Sequence, residues 1–286
     1  MEELRDKLKD NNLHIMLSIS DRVDAITEEM GEVWREMGVR QILLGLESAS
    51  PEVLKIMNKG ITLEDQKRAL RVIRDNDIDE VISYINFTPW STLEQIEESV
   101  KYFLSLRINL IQGMLNRFQI YDGTPLAEEL KKKGLVYGKF PNECYHTPDE
   151  KVDTLYDIIN KSFNPYLFVA YQLKILEREL RIALFDAETE YDSAMIKRIR
   201  RYRNMYGDIM QMIMKEATSQ FLEVLWLMKN RARIDEETFK NIKEKVLTDS
   251  NEWFRMIETF RALCPVLNAT KEREVTYAVT KQLLGS

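Results

Sequence analysis

Cysteine, histidine and late glycine are the scarce residues of this sequence. The two cysteines, Cys144 and Cys264, have no CxxC or CxxxC spacing. That excludes a disulfide framework and points to a reducing compartment. The two histidines, His14 and His146, stand alone, which argues against a hydrolytic zinc site. There is no Ser-His-Asp candidate and no Walker loop. No apolar run approaches the roughly 18 residues that a spanning helix needs. The first residues, MEELRDKLKDNN, are charged and lack the apolar core of a signal peptide. A cytoplasmic protein with no membrane contact is therefore expected. Basic residues are not in excess either: the net charge of −6 argues against a nucleic-acid surface.

What is present divides the chain in two. The 286 residues suffice for one large domain or two ordinary ones. A hydrophobic share of 44% beside 31% charged residues is that of a soluble globular protein. Eight of the ten glycines precede residue 140, and methionine, aromatic and long charged residues dominate afterwards. Residues 1–140 read as alternating strands and helices, and residues 147–286 as an all-α region.

Strands are expected at His14–Ser20, Arg40–Glu47, Glu80–Phe87 and within Ile108–Tyr121. Helical spacing follows each of them, at Thr27–Met37, Leu63–Asn76, Leu93–Leu106 and Leu126–Lys133. Steps of this kind fit the crossover unit of a parallel sheet. About four parallel strands are too few for a closed eight-stranded barrel, so the sheet should be open or partial. Helices are then expected at Asp149–Ser162, Pro165–Asp186, Glu190–Lys229, Asp235–Thr248 and Ser250–Leu263. The third would run about 57 Å over Tyr191–Met228, at ~1.5 Å per residue, with Gly207 as a candidate break. Its methionines (Met205, Met210, Met212, Met214) suit core filling more commonly than a binding face. Its basic cluster, Lys197, Arg198, Arg200, Arg201 and Arg203, is either a solvated helix face or a contact for a polyanion or partner protein.

The stretch Ile42–Ser50, ILLGLESAS, organises the first part. Its apolar run fits a strand buried on both faces, and it ends in a carboxylate, Glu47, followed by small residues. Pro51 then opens a helix as a first-turn residue. A carboxylate at the C-terminal tip of a parallel strand is where α/β proteins place ligand contacts. A turn network at an ordinary strand end would use the same residues.

Around this stretch the first 140 residues resemble the radical S-adenosylmethionine (SAM) superfamily, in its cobalamin-binding class. Arg22-x-Asp24 resembles the RxD after the third barrel strand, and LLGLESAS at 43–50 resembles the fourth strand. Val53-Leu54-Lys55-x-Met57-Asn58-Lys59-Gly60 resembles the segment that follows it. Pro89-x-x-Thr92 sits where the family has G-x-P-G-E-T, and Gly123-Thr124-Pro125-Leu126 resembles the GTPL after the sixth strand. Two departures stand out. Phe87, Trp90 and Ser91 replace the usual Gly, Gly and Glu, which implies a bulkier site wall. The CxxxCxxC loop that holds the family's [4Fe–4S] cluster is missing from this chain.

The resemblance implies a partial (β/α) radical SAM barrel followed by an all-α C-terminal region. It implies SAM as cofactor, with a [4Fe–4S] cluster and cobalamin whose binding segments this chain lacks. In the family, reductive cleavage of SAM gives a 5′-deoxyadenosyl radical that abstracts a substrate hydrogen, and the cobalamin class includes methyltransferases. Glu47 is the candidate acceptor of a hydrogen bond from the amino or ribose groups of SAM. Arg22 is a candidate carboxylate clamp, or else a salt bridge to Asp24 or Asp21, and Lys59 is either a third cofactor contact or a solvated lysine. Tyr121 and Asn86 could line a substrate side. A partner chain supplying the missing N-terminal strands and cluster loop is expected, since a lone half-barrel exposes a strand edge and its lumen. The substrate, a small molecule or a peptide, is left open. So are two other readings: a non-catalytic radical-SAM-like binding subunit, and an unrelated α/β binding module with a helical tail.

Overall fold

The computed structural model describes residues 2–139, 143–231 and 233–267. Helix α1 (Glu2–Asp10) leads into strand β1 (Leu17–Asp21), and a 3₁₀ turn over Val23–Ala25 follows. Helix α2 (Glu28–Glu36) is capped by Thr27, whose hydroxyl accepts from the Met30 N–H. Gly38, at φ +92°, ends it; a Cβ there would lie 2.0 Å from the Ile15 carbonyl oxygen, so only glycine fits. Strand β2 (Val39–Glu47) pairs in parallel with β1 on one side and, on the other, with β3 (Asp79–Tyr84). Between them lie α3 (Pro51–Ile56), capped by Ser50, and α4 (Leu63–Asp75), closed by a capping box of Thr62 and Asp65.

After β3 come α5 (Leu93–Ser105), α6 (Ile111–Leu115) and α7 (Pro125–Lys132), then an antiparallel pair, β4 (Val136–Tyr137) and β5 (Cys144–Tyr145). The helical region comprises α8 (Glu150–Ser162), α9 (Asn164–Thr189), α10 (Ser193–Asn230) and α11 (Glu236–Leu263). One apolar core runs from the sheet through all four of these helices, with Ile42, Leu44, Phe103, Tyr166, Phe221 and Ile257 among its fully enclosed side chains.

The partial parallel sheet is present, and it differs from expectation at four points. The fourth strand is missing as such. Ile108–Tyr121 instead contains the short α6, in which Ile111, Met114 and Leu115, with Leu110 before them, share a buried face, and only the bridge Phe87–Arg117 keeps parallel pairing. Gly113 permits this, since a Cβ there would sit 1.9 Å from the Tyr84 ring. β2 is buried on one face only: Ile42, Leu44 and Leu46 are enclosed, whereas Leu43 is 43% exposed. The cause is that α2 and α4 cover a single side of the sheet. α10 runs unbroken through Gly207, where open space surrounds the backbone. The two helices expected at Asp235–Thr248 and Ser250–Leu263 are one, α11, because Val246, Trp253 and Ile257 continue a single buried stripe past Ser250.

An ionic web joins the start of the sheet to the helical region. Asp79 pairs with Arg181 at 3.0 Å and with Arg203; Asp77 pairs with Arg203 at 2.5 Å and Arg200 at 3.2 Å. Glu188 pairs with Arg40 at 3.2 Å and with Arg35. Arg203, half-buried, and Arg200, itself exposed, thus reach the web from the basic cluster, while Lys197, Arg198 and Arg201 are exposed and take no part in it. The methionines divide as well: Met214 is in the core, and Met205 and Met212 are exposed.

Candidate functional site

The opposite end of the sheet carries the residues singled out from the sequence. Glu47 closes β2 in the left-handed region, at φ +62°, a conformation that costs a non-glycine residue of order 1 kcal/mol. The pairing with β3 passes from Gly45–Ser83 to Glu47–Tyr84, so Leu46 is bulged. The bulge turns the Glu47 side chain back over its own strand. A Cβ on Gly45 would lie 2.5 Å from Glu47 Oε1, so the missing side chain at 45 makes the room this carboxylate occupies.

Lys59 Nζ donates to Glu47 Oε1 at 2.7 Å, and the Arg22 guanidinium donates to the Lys59 carbonyl oxygen at 3.0 Å. The three candidate residues are therefore brought together. Arg22 Nε and Nη2 also donate to the Asp24 carboxylate, at 3.0 Å each, so the salt bridge open on the sequence does form. The hydrogen bond from Arg22 holds the Asp24 carboxyl below its ordinary value. Ser48 and Ser50 belong to the turn: Ser48 Oγ accepts from the Ser50 N–H, and Ser50 Oγ caps α3.

Lys59 and Glu47 stand at one wall of an open cleft of about 600 Å³. Its other walls include Met57, Ile85, Trp90, Phe118 and Tyr121, with Trp90 and Phe118 edge to face at 6.3 Å. An apolar, aromatic cleft with an ion pair at one wall suits a ligand that has a flat ring and charged groups. Trp90 is the bulk that the departure from G-x-P-G-E-T implied. Tyr121 lines the cleft, 65% exposed, whereas Asn86 is buried and donates to the Met114 carbonyl oxygen. Asn86 is not a cleft residue.

Sequence reading missed two contributors. Gln66 is fully buried on α4, and its Nε2 donates to the carbonyl oxygens of Leu46 at 2.9 Å and Ser48 at 3.0 Å. It therefore grips the chain on both sides of Glu47. The signal was available, as a glutamine in the apolar stripe it shares with Ala69, Leu70 and Ile73. Phe118 had none, lying within Ile108–Tyr121, the segment expected to hold a strand. Among the described residues, no group of three or more His, Cys, Asp or Glu side chains could hold a metal ion, and no helix is long and apolar enough to cross a membrane.

The radical SAM superfamily profile matches residues 1–103. An uncharacterized methyltransferase of Pyrococcus horikoshii is 30% identical over 122 residues, 43% of this chain and 26% of the relative. An anaerobic magnesium-protoporphyrin IX monomethyl ester cyclase of Rubrivivax gelatinosus is 31% identical over 157 residues, 54% of this chain and 27% of the relative. Among solved structures, the cobalamin-dependent S-adenosylmethionine radical enzyme OxsB superposes with a TM-score of 0.57 at 16% identity, over 95% of this chain and 48% of its own. That similarity shows a shared fold, and it extends through the helical region. This chain spans about a quarter of the length of these curated relatives and about half that of OxsB.

Proposed function

From the premise that residues 1–103 are part of a radical SAM domain, we propose that the chain is the C-terminal portion of a cobalamin-type radical SAM enzyme. Its reaction would be methylation or rearrangement of its substrate, and its Glu47 carboxylate would accept a hydrogen bond from the amino or ribose groups of SAM. The observation that carries this reading is the strained, left-handed Glu47. Its carboxylate is folded over Gly45 at a cleft wall and met by one cation, Lys59. Other residues, Asp77 among them, share the left-handed conformation; at Glu47 it comes with a folded-back carboxylate at a cleft. The methyltransferase and cyclase relatives and the fold shared with OxsB support the class.

The residues present fit SAM better than they fit a cluster. Glu47 offers a carboxylate to the cationic end of SAM, Lys59, whose backbone Arg22 holds, offers a cation to its carboxylate, and Trp90 and Phe118 offer ring surface to the adenine. A [4Fe–4S] cluster needs three thiolates at one point. Cys144 is on β5 and Cys264 is buried at the end of α11, its thiol pushed up to about 11 by burial. The cluster would therefore be held by another segment, which we place along β1. That strand pairs on one side only among the described residues. When bound, cluster and SAM together supply a carbon radical; the part of this chain is to seat SAM and keep water from the cleft.

The test is equilibrium binding of SAM to the protein and to Glu47→Gln. A charge-assisted hydrogen bond is worth about 1.5–3 kcal/mol, so affinity should fall roughly 10- to 100-fold. Unchanged affinity would remove Glu47 from the site. The chain's own shortage of thiolates favours a second reading, a binding subunit that presents substrate to a partner enzyme. Anaerobic iron reconstitution with a partner carrying CxxxCxxC separates the two: a SAM-cleaving complex supports the first, and substrate binding without cleavage the second.

A further inference from the structure

At the other end of the sheet one carboxylate is left out of the ionic web. Asp77, Asp79, Glu80 and Glu188 each pair with at least one arginine. Glu177, on α9 among them, has no hydrogen-bond or ion-pair partner among the described residues. It is half-buried in the wall between a cavity of about 290 Å³ and an open crevice of about 640 Å³. The smaller cavity lies between β3, α6, α9 and Met210 of α10. Asn109 is in its wall with both amide atoms buried and unpaired. Lys174, one helical turn before Glu177, lines the same cavity and is bonded there to the neutral Gln112 amide at 2.7 Å.

Unpaired buried groups are costly, and a cavity they share is a place where a ligand can satisfy them. Lys174 and Glu177 are neighbours on the α9 surface, yet no ion pair joins them. We propose that this cavity binds a small zwitterion of the amino-acid class, its ammonium group held by Glu177 and its carboxylate by Lys174. A metal ion is the poorer fit, since no set of three ligating side chains stands here among the described residues. A plain anion would be met by Lys174, with Arg178 and Arg181 also in the wall, but would leave Glu177 without a partner. The proposal is independent of the SAM reading. Gln41, in the cavity wall, and Glu47 lie on one strand, about 20 Å apart at ~3.3 Å per residue.

Binding should release a proton. Burial, then Asp79 and Glu80, push the empty Glu177 carboxyl up to about 8, against Arg181 and Arg203, with the Tyr206 hydroxyl also facing it. An arriving ammonium favours the ionised form.

Three probes of equal length decide the matter by calorimetry on the full chain: 4-aminobutanoate, n-butylamine and butanoate. We expect the zwitterion to bind tightest, the amine about tenfold more weakly and butanoate not at all. Heats measured near neutral pH in buffers of different ionisation enthalpy should give close to one proton released per zwitterion. Glu177→Gln, which keeps the shape and breaks no ion pair, should abolish binding of both amines. Lys174→Met should bring the zwitterion down to the affinity of the amine. Butanoate binding as well as n-butylamine, binding without proton release, an unaffected Glu177→Gln protein, or no binding by any probe at millimolar concentration would each overturn the proposal.

Discussion

The two ends of the one parallel sheet handle charge in opposite ways. At the N-terminal end, acids and arginines are shared around a buried pair, Asp79 and Arg181: Asp77 touches Arg203, Arg200 and Arg35, and Asp79 touches Arg181 and Arg203. Burial would raise the Asp77 carboxyl, but Arg203, Arg35 and Arg200 outweigh it and hold the group below its ordinary value. At the C-terminal end, Glu47 has one lysine, a strained backbone and an open cleft. The first arrangement fastens the helical region to the sheet. The second leaves a carboxylate positioned and thinly neutralised, as a ligand contact requires. Dense charge pairing therefore marks one end, while the other presents a single, lightly paired carboxylate to a cleft; left-handed backbone occurs at both, at Asp77 and at Glu47.

The comparison can be broken most severely at Asp79. Asp79→Asn leaves Arg181 without its carboxylate and Arg203 with Asp77 alone, and removing one partner from a buried charge network costs about 3–5 kcal/mol. Urea denaturation should show that loss; a loss below ~1 kcal/mol would mean that the web is not a fastener. Glu177 should act in the opposite sense. Its folded pKa of about 8 lies above its unfolded value, so below the unfolded pKa both states are protonated and nothing is lost. As pH rises towards 8 the unfolded chain ionises first, and stability falls. Relative to Glu177→Gln, the native protein should lose roughly 2–4 kcal/mol between about pH 4.5 and 8. Parallel denaturation curves across that window would show that the carboxyl is not held protonated.

At the functional end the effects on stability shrink while those on binding remain. Gly45→Ala puts a Cβ where Glu47 Oε1 now lies. The side chain is the movable partner, so stability should change by about 1 kcal/mol. SAM affinity should nevertheless fall about tenfold, because the carboxylate is displaced. Normal SAM affinity in Gly45→Ala would show that the folded-back position of Glu47 is not the binding one.

How much of this was legible depends on sequence separation. Glu47, Lys59 and Arg22 lie within 38 residues of one another, in motifs whose spacing carries their geometry, and the structure brings them together. The web was invisible because its partners are remote: Asp79 and Arg181 are 102 residues apart, Asp77 and Arg203 126. Local patterns also misled where packing overruled them. Ile108–Leu115 has strand-like composition but helical burial. Asp249-Ser250 has the chemistry of a helix start, yet the Ser250 hydroxyl turns back to the Leu247 carbonyl inside a continuous α11. The one-sided burial of β2 lay beyond the apolar run alone, since that run does not say on which face the crossover helices will pack.

The smallest expected change in stability is the most discriminating. Glu47→Gly removes a side chain from a left-handed position that glycine adopts freely, which favours the folded state by a few tenths to about 1 kcal/mol. It also deletes the ion pair with Lys59, whose side chain is 37% exposed, and pairs so exposed are worth about 0–1 kcal/mol. These terms oppose one another, so the variant should unfold within about 1 kcal/mol of the native protein. A residue kept for stability would not behave that way, and a loss above ~2 kcal/mol would assign Glu47 to the fold instead. Unchanged stability together with lost SAM binding would mean that the strained Glu47 is retained at this strand end for the ligand.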